Sequence, residues 1–160
     1  MTERDDAQSP APAGGAYDFA GWGGGDGPAT LTATGQTAED VLLAGLAGVA
    51  EAAGARAVAE EDAATAAAIR GQGADVPAVF AELAADLLAQ LDANGPGLGR
   101  VRLDGVLETD DGFTAWGYAL GAALPNPPPI GVALDGNPTL DAESGRLVLR
   151  CRLRRAGTAG

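Results

Sequence analysis

The hydrophobic pattern of the chain changes its period at Gly95, and this change constrains the fold more than any other feature. Over residues 76–91 apolar side chains recur every three or four positions, with Asp75 as the expected N-cap and Pro77 in the first turn. Over residues 98–107 apolar and charged side chains alternate, as in a strand with one buried face. The change predicts a helix followed by a sheet.

Other segments have equally local signals. Thr37 is expected to cap a first helix, with Asp40 three residues later, and Gly54 is expected to close it. Residues 59–70 are rich in alanine, which favours a helix, but they also fit a strand. Further strands are expected at 29–34, 98–107, 113–122 and 146–154.

Together these elements predict a two-layer α+β domain in which two helices pack on a largely antiparallel sheet. The expected order is β–β–α–β–α–β–β–β, with room for one more strand. The domain is expected to cover residues 17–155. A disordered leader is expected at 1–16, where Asp, Pro, Ala and Gly show no apolar periodicity, and a flexible tail at 156–160.

The chain contains no histidine and no lysine, and all ten of its basic residues are arginine. Without histidine there is no imidazole base and no imidazole metal ligand. Without lysine there is no Schiff base and no P-loop lysine. Arginine binds anions but does not transfer protons at neutral pH. Any catalysis must therefore use carboxylates, hydroxyls, backbone groups or one cysteine, and we expect no catalytic role and no cofactor.

The net charge of −12 opposes direct binding to nucleic acid or to an anionic membrane. A single cysteine cannot form an internal disulfide, and no run of apolar residues is long enough to span a bilayer. These features predict a cytoplasmic protein with neither nucleic acid nor membrane as a direct partner. They do not predict the oligomeric state.

Arg150, Arg152 and Arg154 alternate with apolar residues on the last strand and form a positive strip in an acidic chain. Half of the arginines lie within the last fifteen residues. We predict that the strip binds an anion or an acidic partner. The alternative is that these arginines pair with neighbouring carboxylates or protect a sheet edge.

Other candidate sites have simpler explanations. The glycine run at 23–27 lacks the lysine and the helix of a phosphate loop, so we interpret it as a connector. Cys151 is expected to be buried and inert, because it lies among the inward residues of the last strand and no histidine exists to activate it. The acidic groups at 60–62 and 110–111 are expected to be solvated charges, although carboxylates can bind Ca²⁺ or Mg²⁺.

Three segments, together with the order of elements, resemble the archease family, whose small members assist the RNA ligase of tRNA splicing and RNA repair. The segments are Tyr17-Asp-Phe-Ala-Gly-Trp22, the strand, turn and first helix at 31–43, and the second helix at 75–92. The resemblance covers residues 17–154 and implies the same α+β fold. It also favours a strand over a helix for residues 59–70.

The functional motifs of archeases do not carry over to this chain. The alignment places Phe19 at the family's histidine and Trp22 at its metal-binding aspartate. It places Gly131 at the family's lysine and Gly136 at its later histidine. Leu153-Arg-Arg155 replaces the acidic end of the family, and positive charge repels a cation.

The resemblance therefore implies a non-catalytic accessory module that binds a protein partner, by analogy an RNA ligase. A competing hypothesis is a small enzyme or metal-binding protein that holds a divalent cation near Asp18 and Asp26. A third is a structural protein that self-associates through a sheet edge or a helix face.

Overall fold

A computed structural model describes residues 15–20, 29–56, 64–128 and 130–155. In chain order its elements are β1 Gly15–Ala20, β2 Ala29–Gly35, α1 Ala38–Ala52, β3 Thr65–Gly73, α2 Val76–Asn94, β4 Arg100–Thr109, β5 Gly112–Gly121, β6 Val132–Leu134, β7 Thr139–Glu143 and β8 Arg146–Arg155. Residues 1–14, the glycine run, the acidic group at 60–62 and the tail at 156–160 lie outside the described residues, as do Trp22 and Asp26.

All strand pairs are antiparallel and form two sheets. Sheet A has the order β1-β2-β8-β6, and β7 also pairs with β8. Sheet B has the order β3-β5-β4. The α+β class with two helices on antiparallel strands is confirmed, as is the strand before the second helix. The separation into two sheets was not predicted, and five strands follow α2 where three or four were expected. The first strand begins at Gly15, inside the expected leader.

The helix ends follow the predicted side-chain signals. The Asp40 N–H donates to Thr37 Oγ1 at 3.1 Å, and the Ala78 N–H donates to Asp75 Oδ1 at 3.0 Å. Each bond satisfies a backbone donor that the first helical turn leaves without a partner. At its C-terminal end α2 stops at Gly95, whose φ of +101° suits glycine because it has no Cβ.

The helices join the two sheets through one aliphatic core. Helix α1 packs on β1 and β2 of sheet A, α2 packs on β3 of sheet B, and the helices contact each other. At Gly45 the backbone of α1 packs against the Phe80 ring of α2 and a methyl group of Leu149 on β8. The fully buried large side chains are mainly leucine, with Phe80 as the one aromatic ring among those of the described residues. Within the described ranges no helix has the length and hydropathy needed to cross a membrane.

Helix α2 also covers the free edge of β3. The N–H of Arg70 donates to Asp86 Oδ2 at 2.9 Å, and the N–H of Gln72 donates to Glu82 Oε1 at 3.0 Å. Gln90 Nε2 donates to the Ala68 carbonyl at 3.4 Å. Glu82, Asp86 and Gln90 are four residues apart, so they form one stripe along the helix. Side chains of α2 thus supply the partners that a further strand would otherwise provide.

Candidate functional site

The predicted arginine strip lies on the outer face of sheet A. Leu149, Cys151 and Leu153 are buried on the inner face, whereas Arg152 and Arg154 are exposed on the outer face. Strand β8 lies inside the sheet between β2 on one side and β6 and β7 on the other. The strip is therefore carried by a central strand, and the alternative of a charged sheet edge does not describe it.

Two carboxylates of β7 neutralise the first member of the strip. Arg150 Nη1 lies 3.3 Å from Asp141 Oδ2, and Arg150 Nη2 lies 3.2 Å from Glu143 Oε2. The register places Thr139 opposite Arg150, so both acidic side chains stand on the same outer face. Arg150 is thus held by its neighbours, as the alternative interpretation of the strip expected.

The other two arginines are much less constrained. Arg152 Nη2 approaches Asp135 Oδ2 at 3.9 Å, and both side chains are well exposed. Arg154 forms no ion pair with any residue in the described ranges. Exposed ion pairs of this kind contribute about 0–1 kcal/mol, so little energy holds Arg152 against Asp135. The strip that can contact a partner consists of Arg152 and Arg154.

Threonines of β2 complete the surface beside the strip. Thr30 lies opposite Arg152 and Thr32 lies opposite Arg150, and the next strand places Asp18 opposite Thr32. Hydroxyl groups beside guanidinium groups offer donors to carboxylate or phosphate oxygens. We call the surface of Thr30, Thr32, Arg152 and Arg154 the arginine face. It contains groups that bind anions but no paired nucleophile and base.

Asp18, the described half of the competing cation site, has a local role. Its Oδ1 accepts a hydrogen bond from the N–H of Phe19 at 2.9 Å. No group of three possible metal ligands occurs among the described residues. Asp111 lines a cleft of about 350 Å³ beside Glu82 near the 109–112 turn, but Glu82 already accepts the Gln72 N–H.

Among the described residues at the positions of the archease motifs, Phe19 packs against a neighbouring ring and the other two are glycines. Phe19 is half-buried and meets the Tyr17 ring edge to face, with 5.9 Å between the ring centroids. Gly131 and Gly136 flank β6 and carry no side chain. The Tyr17 hydroxyl donates to Glu51 Oε1 of α1. Burial, together with the hydrogen bond and charge of Glu51, raises the pKa of Tyr17 to about 12, so the phenol stays protonated.

Cys151 is buried as predicted. Its side chain is 4% exposed on the inner face of sheet A, and burial raises the pKa of the thiol to about 12. The thiolate is the reactive form of cysteine, so Cys151 is not a nucleophile at neutral pH.

The outer face of sheet B is a surface that the sequence interpretation missed. Trp116 and Tyr118 of β5 point outward, and the indole of Trp116 is 41% exposed. On neighbouring strands, Arg70 lies opposite Trp116 and Arg102 lies opposite Tyr118. We call this surface the aromatic face. Alternation along β5 was a signal that these rings share one face, but it does not indicate which face the helices cover.

Strand β7, which supplies the partners of Arg150, was not predicted from the sequence. Ser144 and Gly145 both have positive φ, at +54° and +79°, and they join β7 to β8. Two such residues form the tight turn that suits the twist of a hairpin. The Ser-Gly pair before an alternating strand was the signal that could have identified this hairpin.

Comparisons with known proteins show the fold. No protein-family model and no curated protein matches the chain. The structure is similar to the solution structure of protein 1598 of Methanobacterium thermoautotrophicum, with a TM-score of 0.60 and 17% sequence identity. The match covers 88% of this chain and 98% of the other. At this identity the comparison shows that the two proteins share an α+β fold.

Proposed function

We propose that the protein is a non-catalytic, archease-like accessory module that binds an acidic surface of a partner protein through the arginine face. The observation that carries the proposal is that Arg152 and Arg154 are exposed and only weakly paired. Both are exposed on a central strand, Arg154 has no ion pair within the described ranges, and Arg152 has a distant one. Guanidinium groups in this state can bind carboxylates without first breaking a strong pair.

The partner class in this proposal comes from the archease resemblance. The fold is shared with protein 1598 over almost the whole of that chain, which supports a conserved type of domain. The resemblance at 17–22, 31–43 and 75–92 then suggests an RNA ligase as the protein to be tested first. The exposed arginines of this chain require an acidic patch on the partner protein.

The test is isothermal titration calorimetry, which measures the Kd of the purified chain for the RNA ligase encoded in the same genome. The variant is Arg152→Glu with Arg154→Glu; Arg150 stays, because its reversal would place a third carboxylate beside Asp141 and Glu143. We expect the double reversal to weaken binding about tenfold or more, with the loss reduced at high salt.

A matched control carries the same charge change elsewhere. Arg56 is exposed and lies off the arginine face, so Arg56→Glu should leave binding to the ligase unchanged, whereas Arg154→Glu, with the same change of charge, should weaken it. Equal losses in these two single variants would show an effect of net charge alone and would contradict the proposal. Failure of the native chain to bind the ligase would remove that partner.

The competing cation hypothesis has its own readout. Binding to the folded state alone raises Tm by mass action, so a real site is detected at saturating metal. A rise in Tm with Mg²⁺, Ca²⁺, Mn²⁺ or Zn²⁺ that Asp18→Ala abolishes would favour a metal-binding protein. If the arginine face is the functional surface, no Asp18-dependent rise in Tm is expected.

A further inference from the structure

The aromatic face contains a cleft of about 280 Å³. It is lined by Ala68, Arg70, Thr114, Trp116, Gly117 and Tyr118. Ala68 and Gly117 carry little or no side chain, so they form a shallow floor between the larger groups. The volume is near the lower limit of small-molecule sites, which suits a ligand of about one ring system with one polar group.

The two aromatic rings present a stacking surface on one side of the cleft. Trp116 and Tyr118 are two residues apart on β5, so they lie on the same face about 7 Å apart. The Trp116 ring lies across Gly105 of β4, where an added Cβ would come within 2.3 Å of Cζ2. Glycine at 105 therefore allows the indole to rest on the strand while 41% of its surface stays exposed.

The charge beside the rings is positive and accessible. Arg70 is exposed, lies directly opposite Trp116 in the sheet, and has no side-chain ion pair with any residue in the described ranges. Its backbone is fixed by the hydrogen bond to Asp86. Arg102 lies on the other side, 5.3 Å from the centre of the Tyr118 ring, and pairs with Asp104 at 2.8 Å. Arg70 is thus the cation that can reach a ligand in the cleft.

We propose that this cleft binds a nucleobase joined to a phosphate, with the base stacked on Trp116 and the phosphate on Arg70. Stacking on exposed aromatic rings beside arginine is how proteins hold unpaired nucleotides without reading their sequence. A free nucleotide and a nucleotide within a single strand share this chemistry. The net charge of −12 repels a nucleotide at long range, and salt screens this repulsion as well as the local attraction to Arg70.

Two other occupants fit the same face less well. An acidic peptide would satisfy Arg70 but supplies no flat ring for Trp116. The lining of the cleft contains no carboxylate, so the same face of a second copy would offer Arg70 no ion-pair partner. Both occupants remain as distinct outcomes of the experiment.

The experiment uses the full chain with Trp22→Phe, so that Trp116 is the single tryptophan. Its fluorescence is followed during titration with AMP, with adenosine, with inorganic phosphate and with a single-stranded oligoadenylate, each over a range of salt concentrations. We expect quenching by AMP and by the oligonucleotide, and weaker effects from adenosine or phosphate alone. Tighter binding of the oligonucleotide than of AMP identifies the single strand as the source, and equal binding identifies the free nucleotide.

Variants are compared by the anisotropy of a fluorescein-labelled oligoadenylate. Trp116→Ala should weaken binding about tenfold, which is the value of one stacked base. Arg70→Gln should reduce the slope of log K against log salt by about 0.7, because one phosphate contact is lost. Trp116→Tyr keeps an aromatic ring and should retain most of the affinity. Thermal melting of each variant separates lost binding from lost folding.

Several results would overturn the proposal. One is the absence of quenching with every nucleotide probe, and another is binding that Trp116→Ala and Arg70→Gln leave unchanged. Equal competition by polyglutamate would show a face for acidic peptides. A mass that rises with concentration and falls in Trp116→Ala would show a second copy on the face. The nucleotide test depends on Trp116 and Arg70 of sheet B, and the partner test depends on Arg152 and Arg154 of sheet A, so each proposal can fail without the other.

Discussion

Replacement of Gly45 by alanine tests how closely α1 and α2 approach. A Cβ at this position would lie 2.6 Å from Phe80 Cε1 and 3.2 Å from Leu149 Cδ2. Phe80 is fully buried and Leu149 is 1% exposed, so neither side chain has open space into which it can move. The substitution therefore adds one methyl group to a closed interface between a helix and its neighbours.

Two opposing effects set the size of the change. Alanine favours a helix over glycine by about 1 kcal/mol. Against this, the 2.6 Å separation is about 1 Å shorter than a carbon–carbon contact, so the stiff Phe80 ring must move. Overpacking of a core costs about 1–3 kcal/mol, and the buried ring places Gly45→Ala in the upper part of that range. We expect a net loss of about 1–2 kcal/mol, or a fall in Tm of about 2–8 °C.

Urea unfolding followed by far-UV circular dichroism measures this change, with two calibrating variants. Ala47 is only half-buried on the same helix, so Ala47→Gly should report the helix preference alone, a loss of about 1 kcal/mol. At Gly48 an added Cβ would lie 2.5 Å from Leu31 Cδ1, and Leu31 is 1% exposed, so Gly48→Ala should cost about as much as Gly45→Ala. A gain in stability for Gly45→Ala, equal and opposite to the Ala47→Gly loss, would refute the reasoning.

Two further predictions concern single groups. Asp86→Ala removes the acceptor of the Arg70 N–H, so hydrogen exchange at that amide should become faster and stability should fall by about 1 kcal/mol; unchanged exchange would contradict the role of Asp86. The free energy of unfolding should also fall as the pH rises above about 9, because the folded state keeps the Cys151 proton up to a pKa of about 12 while the unfolded chain loses it. Urea midpoints measured against pH for the native chain and for Cys151→Ala check this prediction, and identical profiles would contradict it. At higher pH, a further fall in stability due to Tyr17 should occur in both proteins.

The helix ends were predictable because their signals are local. Thr37 and Asp75 each bond an N–H three residues further along the chain, and such contacts are visible in the sequence before any tertiary structure is known. The strand β3 was harder to predict, since its alanine-rich sequence suits either a helix or a strand and its pairing with β5 depends on residues forty or more positions away. Family resemblance, and not composition, favoured the strand.

The aromatic face was not predictable because alternation does not say which face is covered. Large apolar residues are usually buried, which would turn Trp116 and Tyr118 inward. The structure instead buries Ala115 and Ala119, and the large side chains opposite them, such as Phe80, come from the helices. Small residues on the sheet allow the helices to fill the core, and the rings of β5 are left outside.

The arginine strip likewise could not be predicted fully, because the sequence does not show which of its arginines have ion-pair partners. Alternation correctly placed Arg150, Arg152 and Arg154 on one face, but it could not show which of them is free to contact a partner. The difference depends on β7, whose Asp141 and Glu143 side chains form ion pairs with Arg150 and with neither of the other two arginines. A pattern in one strand cannot report the charges of the strand that pairs with it.

The stripe of Glu82, Asp86 and Gln90 along α2 has a consequence for misfolding. An exposed strand with unused N–H and C=O groups is a template on which other chains can add as amyloid-like strands. Along β3 these side chains already occupy the positions that an incoming strand would need. The helix thus protects an alanine-rich segment from aggregation after folding, and the interval before α2 docks is when that segment is most exposed to other chains.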